Sequence, residues 1–307
     1  MPVPHISGNF GDLLDPRFQK IFKAQEQYNQ TQDMLKELYT FVPTNGRNDM
    51  RWSEVGTFPD FSEFTGNVSY SSQSQGYDTV STSVEFTNGF QVERKLYDDD
   101  QFHIMDQKPA ELSDSAFRTR QKHGARLLNN AFSVDNYFYN NSEAVALCSN
   151  SHTTNSGASV ASGFDNLVTS SLTAVAVAAA RIQMVGFRGD QAERISVMPD
   201  ELWYPPDLYE QAFEIINAQG KVDTSNNNPN VHNGRYKGYE WVYLTDTNNW
   251  FMCDSRMRKR MAFWVDRIPL EFAFIEDFDT LIAKWRGYMR YSNAHINWRW
   301  ILGAQVS

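Results

Sequence analysis

VSTSVEFTNGFQVERKL, from Val80 to Leu96, is the run whose reading decides the fold. Val80, Val84 and Phe86 alternate with polar residues as far as Asn88-Gly89, and Phe90, Val92 and Leu96 follow. Apolar residues at period two mark half-buried strands. Asn-Gly between two such runs is a strong hairpin signal, because both central residues of a type I′ turn need positive φ. The spacing predicts a β-hairpin that turns at Asn88-Gly89 and whose return strand runs out in Asp98-Asp99-Asp100. Its approach, from Arg51 to about Gly76, is polar and Ser-rich with scattered aromatics, FPDFSEFTGNVSYSSQSQG over 58–76. A lone two-stranded hairpin is marginal in water, so this one is expected to rest on another surface.

Helices flank this run. On the N-terminal side Asp15 suits an N-cap and Pro16 the first helical position. Phe18, Ile21, Phe22, Tyr28, Leu35, Leu38 and Tyr39 then recur at helical spacing until Pro43 and Asn45-Gly46. On the C-terminal side a second helix is expected from Pro109 to Phe132, with Leu112, Ala116, Leu127 and Leu128 inward and Arg118, Arg120, Lys122 and Arg126 outward. An Ala-rich third helix follows over Ser170–Met184, then a short strand Ile195–Met198 closed by Pro199. Pro205-Pro206 opens a fourth helix that Gly220 ends. Val222–Gly234 is an Asn-rich loop, and the remainder reads as β over Tyr239–Leu244, Trp250–Cys253, Ala262–Phe274, Thr280–Tyr291 and Ile296–Leu302.

Composition narrows the function. The 307 residues carry a net charge of −9, which argues against a general nucleic-acid binder, since such proteins carry surplus basic charge to neutralise phosphates. With 41% hydrophobic and 14% aromatic residues there is material for a core and for partner interfaces. Cys148 and Cys253 supply neither a disulfide framework nor a local metal motif. MPVPHISGNF has no basic start and no apolar core of a signal peptide, and the longest small-apolar run, Ala174–Ala180, is less than half a membrane span.

Catalytic motifs are missing. There is no G-x-S-x-G elbow, P-loop, dinucleotide fingerprint or H-E-x-x-H helix. Ser151-His152 are adjacent, but neighbours on an extended chain point apart and no acid is evident to orient the histidine. The Asp98–Asp100 run lacks the spaced oxygen ligands of a calcium loop, Asp223-x-Ser225-x-Asn227 lacks the required Gly and Glu, and the six histidines do not cluster. No catalytic residue, cofactor or metal is expected. An extended arm, a projecting hairpin, polar loops and surplus aromatics suit a subunit that interlocks with copies of itself.

The order of several segments resembles the major capsid (head) proteins of tailed bacteriophages, which have the Hong Kong 97-type fold, and within them the Mu-type head subunit branch. The resemblance is carried by the hairpin ending in Arg94-x-x-x-Asp98-Asp99, the helix after Pro109, and Leu147…Ser151-His152. Leu172-Thr-Ala-Val-Ala-Val-Ala, Met198-Pro-Asp-Glu-Leu-Trp-Tyr-Pro-Pro-Asp-Leu208, Trp250-Phe251 and the terminal strands extend it over about two-thirds of the chain. It implies an α+β fold with an N-terminal arm and helix at 1–49 and an E-loop hairpin at 50–97. A peripheral domain with the spine helix is implied at 98–152 and 256–307, and an axial domain at 153–255. The implied role is self-assembly, as homo-pentamers and homo-hexamers, into an icosahedral virion shell enclosing double-stranded DNA. Partners implied are a separate scaffolding protein, a portal protein and a decoration protein. Many relatives carry a long N-terminal scaffolding region that a protease removes, whereas here the arm is reached almost at once; the resemblance then implies either a separate scaffolding protein or a processed form, and the leading Met1 favours an intact product.

On this reading the candidate intersubunit contacts are Phe18, Phe22, Phe58, Phe61, Phe64, Tyr77, Arg94, Lys95, Asp98 and Asp99. The acidic balance is expected to give an inner wall that does not hold DNA. Three other readings compete: an encapsulin-like nanocompartment shell, a β-rich carbohydrate-binding module, and a hydrolase built on Ser151 and His152.

Overall fold

The computed structural model describes residues 11–44, 46–68, 70–93, 104–160, 162–220, 229–277, 279–280 and 282–307. Among the described residues three sheets organise the fold. The first has the order β1-β10-β11-β4, built from β1 (Thr40–Pro43), β4 (Val84–Glu93), β10 (Ala262–Asp277) and β11 (Ile282–His295). The second has the order β6-β12-β9-β7-β8, from β6 (Leu167–Val168), β7 (Glu201–Tyr204), β8 (Lys237–Glu240), β9 (Trp250–Cys253) and β12 (Ile301–Ala304). The third joins β2 (Asp49–Val55), β3 (Gln75–Thr82) and β5 (Tyr139–Asn141).

The Asn88-Gly89 turn does not exist. β4 runs unbroken through it, pairing antiparallel with β11 from Val84↔Tyr291 to Glu93↔Ile282, with Gly89 opposite Arg286. The physical reason lies in the side-chain phase. Val84, Phe86, Phe90 and Val92 are all even-numbered, so one continuous strand puts them on one face. A two-residue turn at 88–89 would set Phe86 opposite Gln91 and send Phe90 to the other face. Burial against β11 and the helices decides for the strand: Phe90 stacks on Trp285 at 5.1 Å and Phe86 on Tyr291 at 4.8 Å. Gly89 is there for close approach, since a Cβ would lie 2.5 Å from the Trp285 carbonyl oxygen. The true hairpin arms are β2 and β3, antiparallel from Asp49↔Thr82 to Val55↔Gln75. β4 thus belongs to the first sheet and not to the projecting hairpin.

The helices are α1 (Gly11–Gln30), α2 (Leu35–Leu38), α3 (Gln107–Asn129), α4 (Ala174–Val185), α5 (Tyr209–Asn217) and α6 (Ser255–Met261). α1 begins before Asp15, so Pro16 lies inside the helix and not at its start. The helical pattern expected up to Tyr39 breaks at 31–34 and gives way to the short α2 and then β1. α3 is the long helix expected after Pro109, and Thr173 caps α4 by accepting from the Ala176 amide at 3.1 Å. The strand expected over Ile195–Met198 forms instead at Glu201–Tyr204, beyond Pro199. There all four residues are buried between β8 and β9. α6 was not anticipated; Asp254 caps it by accepting from the Met257 amide at 3.0 Å. The last strand, expected with the 256–307 segment, pairs instead with β9 and β6 and so lies in the same sheet as the 153–255 segment.

Much of the aromatic surplus is core, the tryptophans above all. Trp203, Trp241, Trp250, Trp264, Trp285 and Trp300 are fully buried, and Trp298 nearly so. One buried ion pair staples the two large sheets: Arg258 of α6 donates to both Glu201 oxygens at 2.7 and 2.8 Å and to the Leu38 carbonyl at 2.7 Å. Pairing is essential at such depth, because an isolated buried charge costs several kcal/mol.

Candidate assembly surface

The 57–73 segment is the excursion between β2 and β3, and it concentrates exposed apolar side chains. Val55, Phe58, Phe61, Phe64, Val68 and Tyr70 are all solvent-facing, Phe61 completely so and Tyr70 at 94%. Scattered exposed apolar residues are ordinary, but a run of them on one projection marks an interaction site. Asp60 and Glu63 interleave with the phenylalanines. Pro59 and Gly66, the latter at φ +108°, keep it from forming regular structure.

Beneath this tip the loop is fixed by a buried charge cluster. Arg299, 5% exposed, sits between two carboxylates: Nη1 donates to Glu54 Oε1 and Nη2 to Asp190 Oδ1, both at 2.9 Å. Its Nε donates to the Arg188 carbonyl at 2.7 Å, and Asn297 Nδ2 gives Glu54 a further donor at 2.9 Å. Burial pushes the Glu54 carboxyl above the usual range, against the opposing pull of Arg299. The Asp190 amide reaches Thr57 Oγ1 at 3.0 Å, and the Gly56 amide closes the loop on the Ser74 carbonyl at 3.0 Å. The turn that presents Asp190 holds Ala192 at φ 62°, a strained non-glycine conformation. On the other arm Asn155 Nδ2 donates to the Gln75 carbonyl at 3.1 Å and Tyr77 Oη bonds Thr153 Oγ1 at 2.8 Å. Trp52 stacks on Phe263 at 5.3 Å and Ser81 bonds Ser292 at 2.8 Å, so the arms rest on the first sheet. The base is tied down by these bonds, and the apolar side chains of the tip face solvent.

The candidate contact residues divide accordingly. Phe58, Phe61 and Phe64 stand together on the exposed tip. Tyr77 is half-buried and engaged within the chain. Phe18 and Phe22 are buried within the chain itself. Phe18 packs on Trp285 at 5.0 Å and Phe22 stacks on Phe272 at 4.5 Å, docking α1 against β10 and β11. Their i, i+4 spacing gives one apolar stripe, and the chain's own sheet takes it. Arg94, Lys95, Asp98 and Asp99 lie outside the described residues, as do the Asp223-x-Ser225-x-Asn227 positions.

His152 does have an acid, contrary to the sequence expectation. Glu143 Oε1 lies 3.0 Å from Nδ1, while Nε2 faces Asn166 Oδ1 at 3.0 Å and the ring stacks on Trp298 at 4.3 Å. With both ring nitrogens engaged and the residue buried, His152 acts as a structural pillar, and Ser151 bonds Ser149 instead. Among the described residues no group of His, Cys, Asp or Glu is placed to hold a metal ion.

The sequence profile of the phage capsid protein family matches residues 76–303. No curated protein matches at the sequence level. Among solved structures the fold is similar to the bacteriophage PhiM1 mature capsid, at a TM-score of 0.57 and 9% identity, covering 89% of this chain and 86% of that one. It is equally similar to the capsid of the cyanophage P-SCSP1u, at a TM-score of 0.57 and 12% identity, covering 89% and 87%. A virus-like particle from Pyrococcus furiosus follows at 0.53 and 9%, covering 93% and 98%. These likenesses establish the Hong Kong 97-type fold for sheets and helices arranged as above. With the family profile spanning well over half of its length, the chain belongs to the phage capsid protein family.

Proposed function

We propose that this chain is the major capsid subunit of a tailed phage, assembling as homo-pentamers and homo-hexamers into an icosahedral head shell around double-stranded DNA. The observation that carries the reading is the loop at 57–73: an apolar tip with no core of its own, mounted on a base locked by Glu54, Arg299 and Asp190. A segment that had to fold back on its own subunit needs no such mount. One that must reach a neighbour in a fixed direction does. Each such contact is modest, but closure of the shell multiplies them.

In this assignment α1 is the arm, β2 and β3 with their tip form the E-loop, α3 is the spine of the peripheral domain, and the second sheet with α4 and α5 forms the axial domain. A separate scaffolding protein, a portal and a decoration protein are the expected partners, with assembly in the host cytoplasm. Arg94 and Lys95 are proposed to pair with acidic groups of a neighbouring copy and so set register, with Asp98 and Asp99 as further intersubunit contacts; surface pairs contribute about 0–1 kcal/mol each. The similarity to a virus-like particle leaves an enclosed protein cargo as the competing content of the shell. Negative-stain microscopy of the purified protein tests the proposal: closed particles tens of nanometres across are expected, and a monodisperse monomer at assembly concentrations refutes it. Nuclease-protected duplex in particles from infected cells separates DNA from protein cargo.

A further inference from the structure

α6 reads Ser255-Arg-Met-Arg-Lys-Arg-Met261, and its four cations divide by burial. Arg258 points inward to Glu201 and the Leu38 carbonyl. Arg256, Lys259 and Arg260 are exposed, and at i, i+3 and i+4 they share one face. Arg256 is held in place by the Ser196 carbonyl at 2.7 Å. Beside this face lies an open cleft of about 480 Å³ whose walls add Lys36, and Lys237 paired with Glu37.

A basic face on a short helix is ordinarily no more than solvated surface. Two observations set this one apart. The acids of the cleft are already engaged: Glu37 with Lys237 at 3.3 Å and Tyr239 Oη at 2.7 Å, Glu201 with Arg258, and Asp200 with the Ser255 amide and hydroxyl at 2.8 and 2.5 Å. Several arginines elsewhere in this acidic chain are paired with carboxylates, Arg120–Asp266, Arg126–Asp135, Arg290–Glu85 and Arg299–Glu54 among them, whereas Lys36, Lys259 and Arg260 form no ion pair among the described residues and lie together at one cleft and helix face. The face is also polar throughout, with Tyr39, Thr40 and Tyr239 lining the cleft, and it offers no apolar slot for a peptide's side chains. A ligand that brings only closely spaced anionic charge fits it.

We infer that the α6 face and its cleft form a sequence-independent contact for the phosphate backbone of double-stranded DNA. The inference rests on the reading of the chain as a subunit of a DNA-filled shell, and it localises what the charge balance left general. The surface as a whole repels phosphate, and one small face per subunit holds it. Phosphate contacts position a duplex without reading sequence, which is what a wall lining packed DNA requires.

The test uses unassembled subunits and a random-sequence duplex of about 20 base pairs, followed by fluorescence anisotropy. Three phosphate contacts give a slope of log affinity against log salt of about −2.7. The triple variant R256E/K259E/R260E is expected to weaken binding at least tenfold. K20E/K23E/K122E, which makes the same charge change at exposed lysines on α1 and α3, is expected to weaken it less than threefold; thermal melting confirms that both variants are folded. No duplex binding at 50 mM salt, or equal loss in both variants, overturns the inference. Binding of polyglutamate without duplex also overturns it and assigns the face to an acidic protein segment. Shell formation is scored separately by microscopy, so shells without duplex binding refute this contact and leave the capsid reading standing.

Discussion

Replacing Arg299 by Ala is the sharpest perturbation of the loop mount. The guanidinium makes side-chain bonds to Glu54, Asp190 and the Arg188 carbonyl, all between 2.7 and 2.9 Å, the one to Asp190 buried and the other two partly so. Its removal leaves two carboxylates facing each other in a space that burial has already made hostile to Glu54's charge. Breaking a buried pair in this way costs about 3–5 kcal/mol, a large share of a typical domain's 5–15 kcal/mol. The loss is expected in two readouts. The urea midpoint of the subunit falls, and the amides of Gly56 and Asp190, which bond Ser74 and Thr57 across the loop base, exchange with solvent faster than amides in β9. Glu54→Gln keeps an acceptor for Asn297 and Arg299 and is expected to cost only about 1 kcal/mol, the range of a single hydrogen bond. A loss under about 1 kcal/mol for R299A, with exchange at Gly56 and Asp190 unchanged, refutes the mount.

Other expectations follow from the fold and its buried groups. Gly89→Ala places a methyl 2.5 Å from a backbone oxygen and is expected to destabilise the subunit by about 1–3 kcal/mol in chemical denaturation; a neutral result restores the turn at Asn88-Gly89. Phe18→Ala is expected to lower subunit stability by about 3–5 kcal/mol, because the ring is buried within the chain; an effect on assembly alone contradicts this packing. Burial holds His295 and His123 down to about 4, so their neutral forms stabilise the fold fully above pH 6.5, and that contribution drains away as pH falls from 6.5 toward 4. For the fully buried His295 the loss reaches about 3 kcal/mol, and it is smaller for the partly screened His123. Glu54, whose carboxyl is raised, acts in the opposite sense, so the diagnostic is His295→Gln: it flattens the denaturation midpoint between pH 6.5 and 4.5, and an unchanged pH dependence counts against the assignment.

Long periodic segments were legible in the sequence. α3 after Pro109, α4 in the alanine run and β9 at Trp250–Cys253 follow from local pattern and stop signals. At Asn88-Gly89 phase overrides turn propensity: the even-numbered Val84, Phe86, Phe90 and Val92 share one face and argue for a single strand. Phe18 and Phe22 show the same limit from another side. An amphipathic stripe reveals that something covers it, and only tertiary structure reveals that the cover is β10 and β11 of the same chain. The mount was beyond local pattern altogether, since Glu54 and Arg299 are far apart in sequence and meet only after β2, the 188–194 turn and the C-terminal segment come together. What sequence could show was the tip: aromatics at 58, 61 and 64 in a polar stretch with nothing local to bury them.

The most direct test of the account is a cryo-electron microscopy reconstruction of the assembled particle, read at Phe61. In the isolated subunit this ring is wholly exposed. In the shell it is expected to be buried against a neighbouring copy, with Phe58 and Phe64 beside it and the Glu54–Arg299–Asp190 mount intact beneath. A loop whose phenylalanines remain in solvent, or fold back on their own subunit, contradicts it.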